Sequence, residues 1–411
     1  MRRIARLVGM LGVLLIVQPS LASLVPNDFE RVPEGEVGDT AKLIGAIKAQ
    51  LKDHRDAHAK AHGCVDGIRV KVLSNLPREL QVGFFSKPGE EYSAILRSSS
   101  GPGVKNASDL DPGAQGFALK ILLNAEDQKN VLSPPGEEAS FAPAEYPTHY
   151  KTFDIVTISR AREFFVNKVA DYFEFFGAQG AIAVAKAKAK AEGKSEEEIA
   201  KIGVDLLKKL YIAPEGKAPR LKEAALLGLL GQAKTKNPLW ETYGSWVPSL
   251  YGKRAVKYEF APCEKVDPDK YEVPAAIEGW ETNPNFLREV LKYELRQGDQ
   301  CYRLRVQFHE KGMPSVEDAA SAWSTELSDY VDVAEVTIPK KEAGKELISE
   351  DLCETLSFHP GHAFAEHYPI GGIQRARVGG KDNEGKPYQG IYTVISEQRN
   401  LNRGKTPIPF R

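Results

Sequence analysis

The spacing of apolar residues changes several times along the chain, and each change marks a different kind of element. Leu43, Ile44, Ile47 and Leu51 recur at helical intervals and predict an amphipathic helix running toward Arg55 and stopping near Gly63. Beyond it the period drops to two, with Ile68, Val70 and Val72 alternating with polar residues as in a half-buried strand. Similar short segments follow at 80–84, 92–96, 117–122 and 153–158, punctuated by Gly101-Pro-Gly103 and Pro134-Pro-Gly136. Successive strands without regular intervening helices predict an antiparallel sheet or barrel. The middle of the chain is helical: 164–176 is rich in aromatics, and 178–210 is rich in Ala, Lys and Glu. Ser195 and Glu198 are spaced there as a capping box. Strands resume at 255–260, 302–308 and 331–338, and Asn283-Pro284 between them offers an N-cap and a first helical residue. The chain reads as one large α+β unit over 41–411, preceded by a polar, Pro- and Gly-bearing lead-in over 23–40 that is expected to be mobile.

The first residues do not belong to that unit. Arg2, Arg3 and Arg6 precede the short apolar run 7–17, and Ser20-Leu21-Ala22 supplies a small-x-small cleavage site. Residues 1–22 are therefore read as a secretory signal peptide, with the mature protein secreted to a periplasm. No later segment reaches the ~20 apolar residues of a membrane-spanning helix. Acidic and basic residues nearly cancel, 56 against 55. No global field recruits nucleic acid, which is excluded as a partner. Four cysteines, Cys64, Cys263, Cys301 and Cys353, permit three disulfide pairings in an exported chain. Cys64 by itself reads as a buried small apolar residue. A homo-oligomer remains open.

Three short strings carry the candidate chemistry. Arg55-Asp-Ala-His58-Ala-Lys60 is followed by Ala94-Ile-Leu-Arg97-Ser-Ser99-Ser-Gly101, then by Asp109 and Gly116-Phe-Ala-Leu-Lys120. In this order and spacing they resemble R-x-x-H-A-K, R-F-S-[NT] and G-F-A-x-K of the haem catalases and their small single-domain, catalase-related peroxidase relatives. Later landmarks continue the resemblance. Gly244-Ser245 through Pro248, Gly252 and Val256-Lys257-Tyr258 is one; Met313-Pro314 through Ala319 and Trp323 is another. A third is Phe358-His-Pro360 to Glu366-His367-Tyr-Pro369 and on to Arg375-Ala-Arg377. The resemblance implies an eight-stranded antiparallel β-barrel with surrounding helices and a haem b cofactor, iron protoporphyrin IX. It also implies reduction of hydrogen peroxide or an organic hydroperoxide at the expense of an unidentified reductant.

Carried over residue by residue, the resemblance makes His58 the proton shuttle over the haem, supported by Ser99. Arg55 and Arg97 become the partners of the haem propionates, and Phe165 packs near the haem face. Tyr392 becomes the axial iron ligand, with Arg399 two helical turns later stabilising the phenolate. The sequence departs from the family in two places. Where relatives carry a distal asparagine, Ser159 or Arg160 stands, which favours peroxidase-like over catalase-like turnover. The arginine one turn before the tyrosine is Tyr388 here, and a Gly-rich insertion over 379–385 separates Arg377 from Tyr392, so Tyr388 competes as ligand. Read without the family, His54, His58 and His62 lie at i, i+4 and i+8 and would suit a histidine-ligated metal. His359, His362 and His367 form a second cluster, for which a structural role is expected. Haem binding without turnover is the remaining alternative.

Overall fold

The computed structural model describes residues 24–55, 57–137, 139–142, 151–382 and 384–409; the signal-peptide reading over 1–22 lies outside them. Eight strands form the barrel: β1 (Ala61–Val72), β2 (Glu91–Ser100), β3 (Gln115–Leu122), β4 (Thr152–Ser159), β5 (Tyr243–Gly244), β6 (Arg254–Pro262), β7 (Gln300–Phe308) and β8 (Tyr330–Ile338). Each pairs antiparallel with the next along the chain, and β8 returns to β1, so the sheet closes without an edge.

The period of two then sorts side chains inward and outward. Leu96, Phe117, Leu119 and Ile155 point into a filled interior, where the Phe117 ring lies 4.9 to 5.1 Å from those of Tyr243, Phe260 and Tyr302. The two inner phenols are satisfied by the carbonyls of Pro238 and Leu239. With its interior packed, the barrel leaves chemistry to its outer wall. Two cross-strand rows stand there: Arg97, Ala118 and Val156, then Ser99, Gly116 and Ile158, carried by β2, β3 and β4.

Helices surround the barrel. They are α1 (Glu36–Gln50), α2 (Val169–Ala191), α3 (Glu196–Tyr211), α4 (Leu221–Leu230), α5 (Phe286–Gln297), α6 (Glu350–Thr355), α7 (Gly372–Val378) and α8 (Ile391–Asn402). α2 to α4 fall between β4 and β5, and the Ser195–Glu198 capping box opens α3 as expected. None of the described helices is long and apolar enough to cross a membrane.

Several expectations need correction. α1 begins at Glu36 and ends at Gln50, well short of Gly63. Between Leu51 and β1 the described residues form no helix, and the N–H groups of His58 and Ala59 bond to the carbonyls of Gly101 and Pro102 instead of to a preceding turn. His54, His58 and His62 therefore share no helical face. The lead-in over 23–40 holds the start of α1, and Glu30 and Glu36 are buried against Arg375 at 2.5 and 2.6 Å. Residues 80–84 form two 3-10 turns rather than a strand, because Pro77 opens one and Gly83, at φ 51°, the other. α5 starts at Phe286 with Asn285 as its N-cap, two residues later than Asn283-Pro284 suggested. Cys64 is not a free apolar filler: the disulfides are Cys64–Cys353 and Cys263–Cys301.

Candidate active site

A cavity of about 920 Å³ lies against the outer wall of β2 to β4, and it gathers all seven singled-out residues: Arg55, His58, Arg97, Ser99, Phe165, Tyr392 and Arg399. They come from the loop after α1, from β2, from the segment before α2, and from α8. His58 and Tyr392, far apart in sequence, line the same space because α8 packs beside α1 and α7.

His58 sits at φ 54°, a strained backbone for a non-glycine residue. Its amide bond to Gly101 holds that turn, and Ser99 Oγ lies 3.4 Å from its Nδ1. Gly116, in the row beside Ser99, explains the glycine of the third string. A Cβ there would stand 2.4 Å from His58 Nδ1 and 2.6 Å from Ser99 Oγ. Burial, then the charges of Arg97 and Arg377, push the His58 imidazolium down to about 3, so the ring is neutral at ordinary pH.

The phenol of Tyr392 accepts a 2.6 Å hydrogen bond from Arg377 Nη2, and the guanidinium also lies 5.0 Å from the ring centre. Arg399 does not make this contact; it donates to the carbonyls of Thr355 and Leu356 at 3.4 Å. The contact with the Tyr392 oxygen expected of Arg399 is made by Arg377 instead, and the insertion shows how. Gly379–Lys381 pairs with Pro387–Gln389 as a small hairpin that leaves α7 and returns to α8 with its ends in contact. Tyr388 rides on this hairpin beside Glu36, Arg375 and Thr40, outside the cavity lining, so it is not placed to rival Tyr392.

Glu354 is a residue the sequence did not reveal. It accepts from Arg55 at 2.6 Å and from Arg97 at 3.0 Å. Burial alone would raise its carboxyl, but Arg55, Arg97 and Arg399 hold it at about 2. Arg399, buried beside Arg97, is pushed down to about 9. The only signal of Glu354 in the sequence was its place after Cys353.

The donor set fits haem. Arg55, Arg97 and Arg399 carry three positive charges and Glu354 one negative, leaving two against the two carboxylates of the cofactor. Among the described residues Arg97 Nε and Arg399 Nε are buried without a partner, donors that a propionate would satisfy. Tyr392 supplies a phenol oxygen and His58 a neutral imidazole in the same space.

Other motif residues are structural. Lys60 bonds Asp109 at 2.6 Å, and Lys120 bonds Asp154 at 2.7 Å. His62 pairs with Gln115, and His54 with Asp53. His362 lies between Glu137 and Asp154, which raise its pKa to about 9 against the cost of burial. His359 meets Thr393, and His367 meets Tyr258. Ser159 accepts from the amide of Gln115, and Arg160 pairs with Glu241 and Asp269; neither lines the cavity. Phe165 stacks on Phe164 at 4.4 Å.

No protein-family model and no curated protein sequence matches the chain. Solved structures do. A fungal catalase is similar over 80% of this chain and 57% of its own, at TM-score 0.53 and 14% identity. Catalase A from Saccharomyces cerevisiae covers 87% and 61%, at TM-score 0.51 and 14% identity. A bacterial catalase covers 90% and 62%, at TM-score 0.53 and 15% identity. The chain spans about three fifths of the length of these catalases. At this identity the likeness speaks for fold alone: the architecture is that of the catalases, an eight-stranded antiparallel barrel clothed in helices.

Proposed function

We propose that this chain is an exported, haem b-dependent peroxidase that reduces hydrogen peroxide or an organic hydroperoxide to water or the alcohol plus water. Two electrons come from a reductant and two protons from the medium. The observation that carries the reading is the meeting of His58, held by Ser99, and Tyr392, held by Arg377, in one cavity rimmed by the Arg55, Arg97 and Arg399 cluster. Bound haem supplies the redox centre at which the O–O bond breaks. Tyr392 would hold the haem iron through its phenol oxygen, against which Arg377 sets a positive charge. Arg55, Arg97 and Arg399 would hold the propionates. His58, neutral because its charged form is suppressed, takes a proton from the bound peroxide at Nε2 while Ser99 orients the ring through Nδ1. It returns that proton to the leaving oxygen. The absence of an amide at Ser159 and Arg160 argues for peroxidase rather than fast disproportionation. Two disulfides support an oxidising compartment, as export requires.

The test is the visible spectrum of the purified protein with and without substitution at Tyr392. Wild type is expected to show a high-spin ferric Soret band of phenolate-ligated haem, Tyr392→Phe to lose it, and Tyr388→Phe to keep it. Haem-free wild type after haem supplementation, or loss of the band on Tyr388→Phe alone, would overturn the assignment.

A further inference from the structure

The cavity has more wall than the cofactor residues account for. α2 presents Tyr172, Phe175, Phe176, Gln179, Ala183 and Lys186 along one side of it, a run of about 21 Å at the rise of an α-helix. Leu227 and Leu230 of α4 extend the same apolar surface. Charges are distributed unevenly around this space. Five cationic side chains, Arg55, Arg97, Lys186, Arg377 and Arg399, line it among the described residues, and no carboxylate does.

Four of the five are engaged. Arg377 serves the Tyr392 oxygen, and the other three arginines form the cluster around Glu354. Lys186 is left over. It stands at the solvent-exposed end of the α2 face and makes no ion pair among the described residues. Its stem lies beside Gly203 of α3, where a Cβ would come within 3.1 Å of Cε.

An aromatic and aliphatic wall ending in a single unpaired ammonium describes a ligand with a long apolar body and one terminal anion. We infer that the substrate is the hydroperoxide of a long-chain carboxylic acid, its acyl chain lying along α2 and its carboxylate at Lys186. The inference rests on the proposed peroxidase reading and deepens it. Burial of the chain supplies most of the affinity, and Lys186 sets polarity, so that the carboxylate stays at the mouth and the chain reaches inward.

The experiment measures equilibrium binding of palmitate and of methyl palmitate to the purified holoprotein, with the Soret band recorded on the same samples. Palmitate is expected to bind about five-fold more tightly than its ester, the scale of an exposed ion pair. Lys186→Gln, at an exposed position, should abolish that preference by weakening the acid alone. Gly180→Leu should weaken acid and ester together, because its side chain fills the same wall without collision: a Cβ at Gly180 meets nothing within 4 Å. An intact Soret band with no palmitate binding, or an acid-to-ester ratio unchanged by Lys186→Gln, would overturn the inference and leave the haem reading standing. Palmitate binding by a protein that takes up no haem would sink the peroxidase reading, and the hydroperoxide with it.

Discussion

His58 combines a strained backbone, a hydroxyl partner and a suppressed charge, and each feature has a separate consequence. Its φ of 54° is held by the amide bond to Gly101, and His58→Ala keeps that bond while removing only the imidazole, so the variant should still fold. The variant is expected to retain its haem spectrum and to consume peroxide ~10²-fold more slowly, the span of one acid–base group. Equal rates in variant and wild type would refute the role. Glu354 makes a different prediction, about stability. Its folded carboxyl titrates near 2 against an ordinary value of 4.5, so its contribution is full above about 4.5 and is lost as pH falls toward 2. The shift corresponds to stability on the order of 3 kcal/mol. Denaturant unfolding of the haem-free protein should find Glu354→Gln weaker than wild type at pH 7, with the difference shrinking through that window. A difference that is flat with pH would show that the arginines do not depend on this carboxylate. That His58, Ser99 and Arg97 would share one space with Tyr392 could be expected from three short strings and from the spacing of Tyr392 to Arg399. Glu354 and the true partner of Tyr392 could not, because both act through contacts made only after distant segments meet.

At the scale of elements, the insertion between α7 and α8 shows why Arg377 escaped notice as the phenol's partner. Fourteen residues lie between Arg377 and Tyr392 in sequence, which helical spacing alone would treat as unrelated. The hairpin cancels that distance: Gly379 pairs with Gln389, and Gly390 then packs on the start of the excursion. A Cβ on Gly390 would stand 2.3 Å from the amide nitrogen of Gly379 and 2.4 Å from the carbonyl oxygen of Arg377, both rigid backbone. Gly390→Ala should therefore force α7 and α8 apart and break the 2.6 Å Arg377–Tyr392 bond. The expected result is a shifted Soret band and weakened haem retention, with far-ultraviolet circular dichroism unchanged. An unaltered spectrum would mean that the hairpin base yields without moving Arg377. The misread end of α1 has the same origin. His54, His58 and His62 have helical spacing, but the carbonyls of Gly101 and Pro102 outcompete a helix for the amides of His58 and Ala59.

For the whole molecule, alternation foretold an antiparallel sheet or barrel and the family resemblance its eight strands. Each strand pairs with its chain neighbour, although the β4–β5 step crosses α2 to α4 and the β8–β1 closure joins the two ends of the barrel. The disulfide pairing was not readable, and it distinguishes two parts of the molecule. Cys263–Cys301 closes 38 residues between β6 and β7, strands already paired there through the Cys263 amide and the Cys301 carbonyl. Cys64–Cys353 closes 289 residues and fastens α6 to the barrel wall. Cys64 is the cross-strand partner of Arg97, and Cys353 precedes Glu354, which bonds Arg97, so bridge and ion pair sit side by side. Loop closure assigns about 4 kcal/mol to the shorter bridge and about 6 kcal/mol to the longer. Replacing Cys263 and Cys301 by serine should lower stability to denaturant but leave the haem spectrum and haem affinity intact. Replacing Cys64 and Cys353 should lower stability further and also weaken haem retention, because α6 then holds Glu354 less firmly against Arg55 and Arg97. The comparison is made by denaturant unfolding of each double variant beside transfer of its haem to a haem-scavenging globin. Equal haem loss from both variants would show that the arginine cluster keeps its shape without the bridge from β1 to α6.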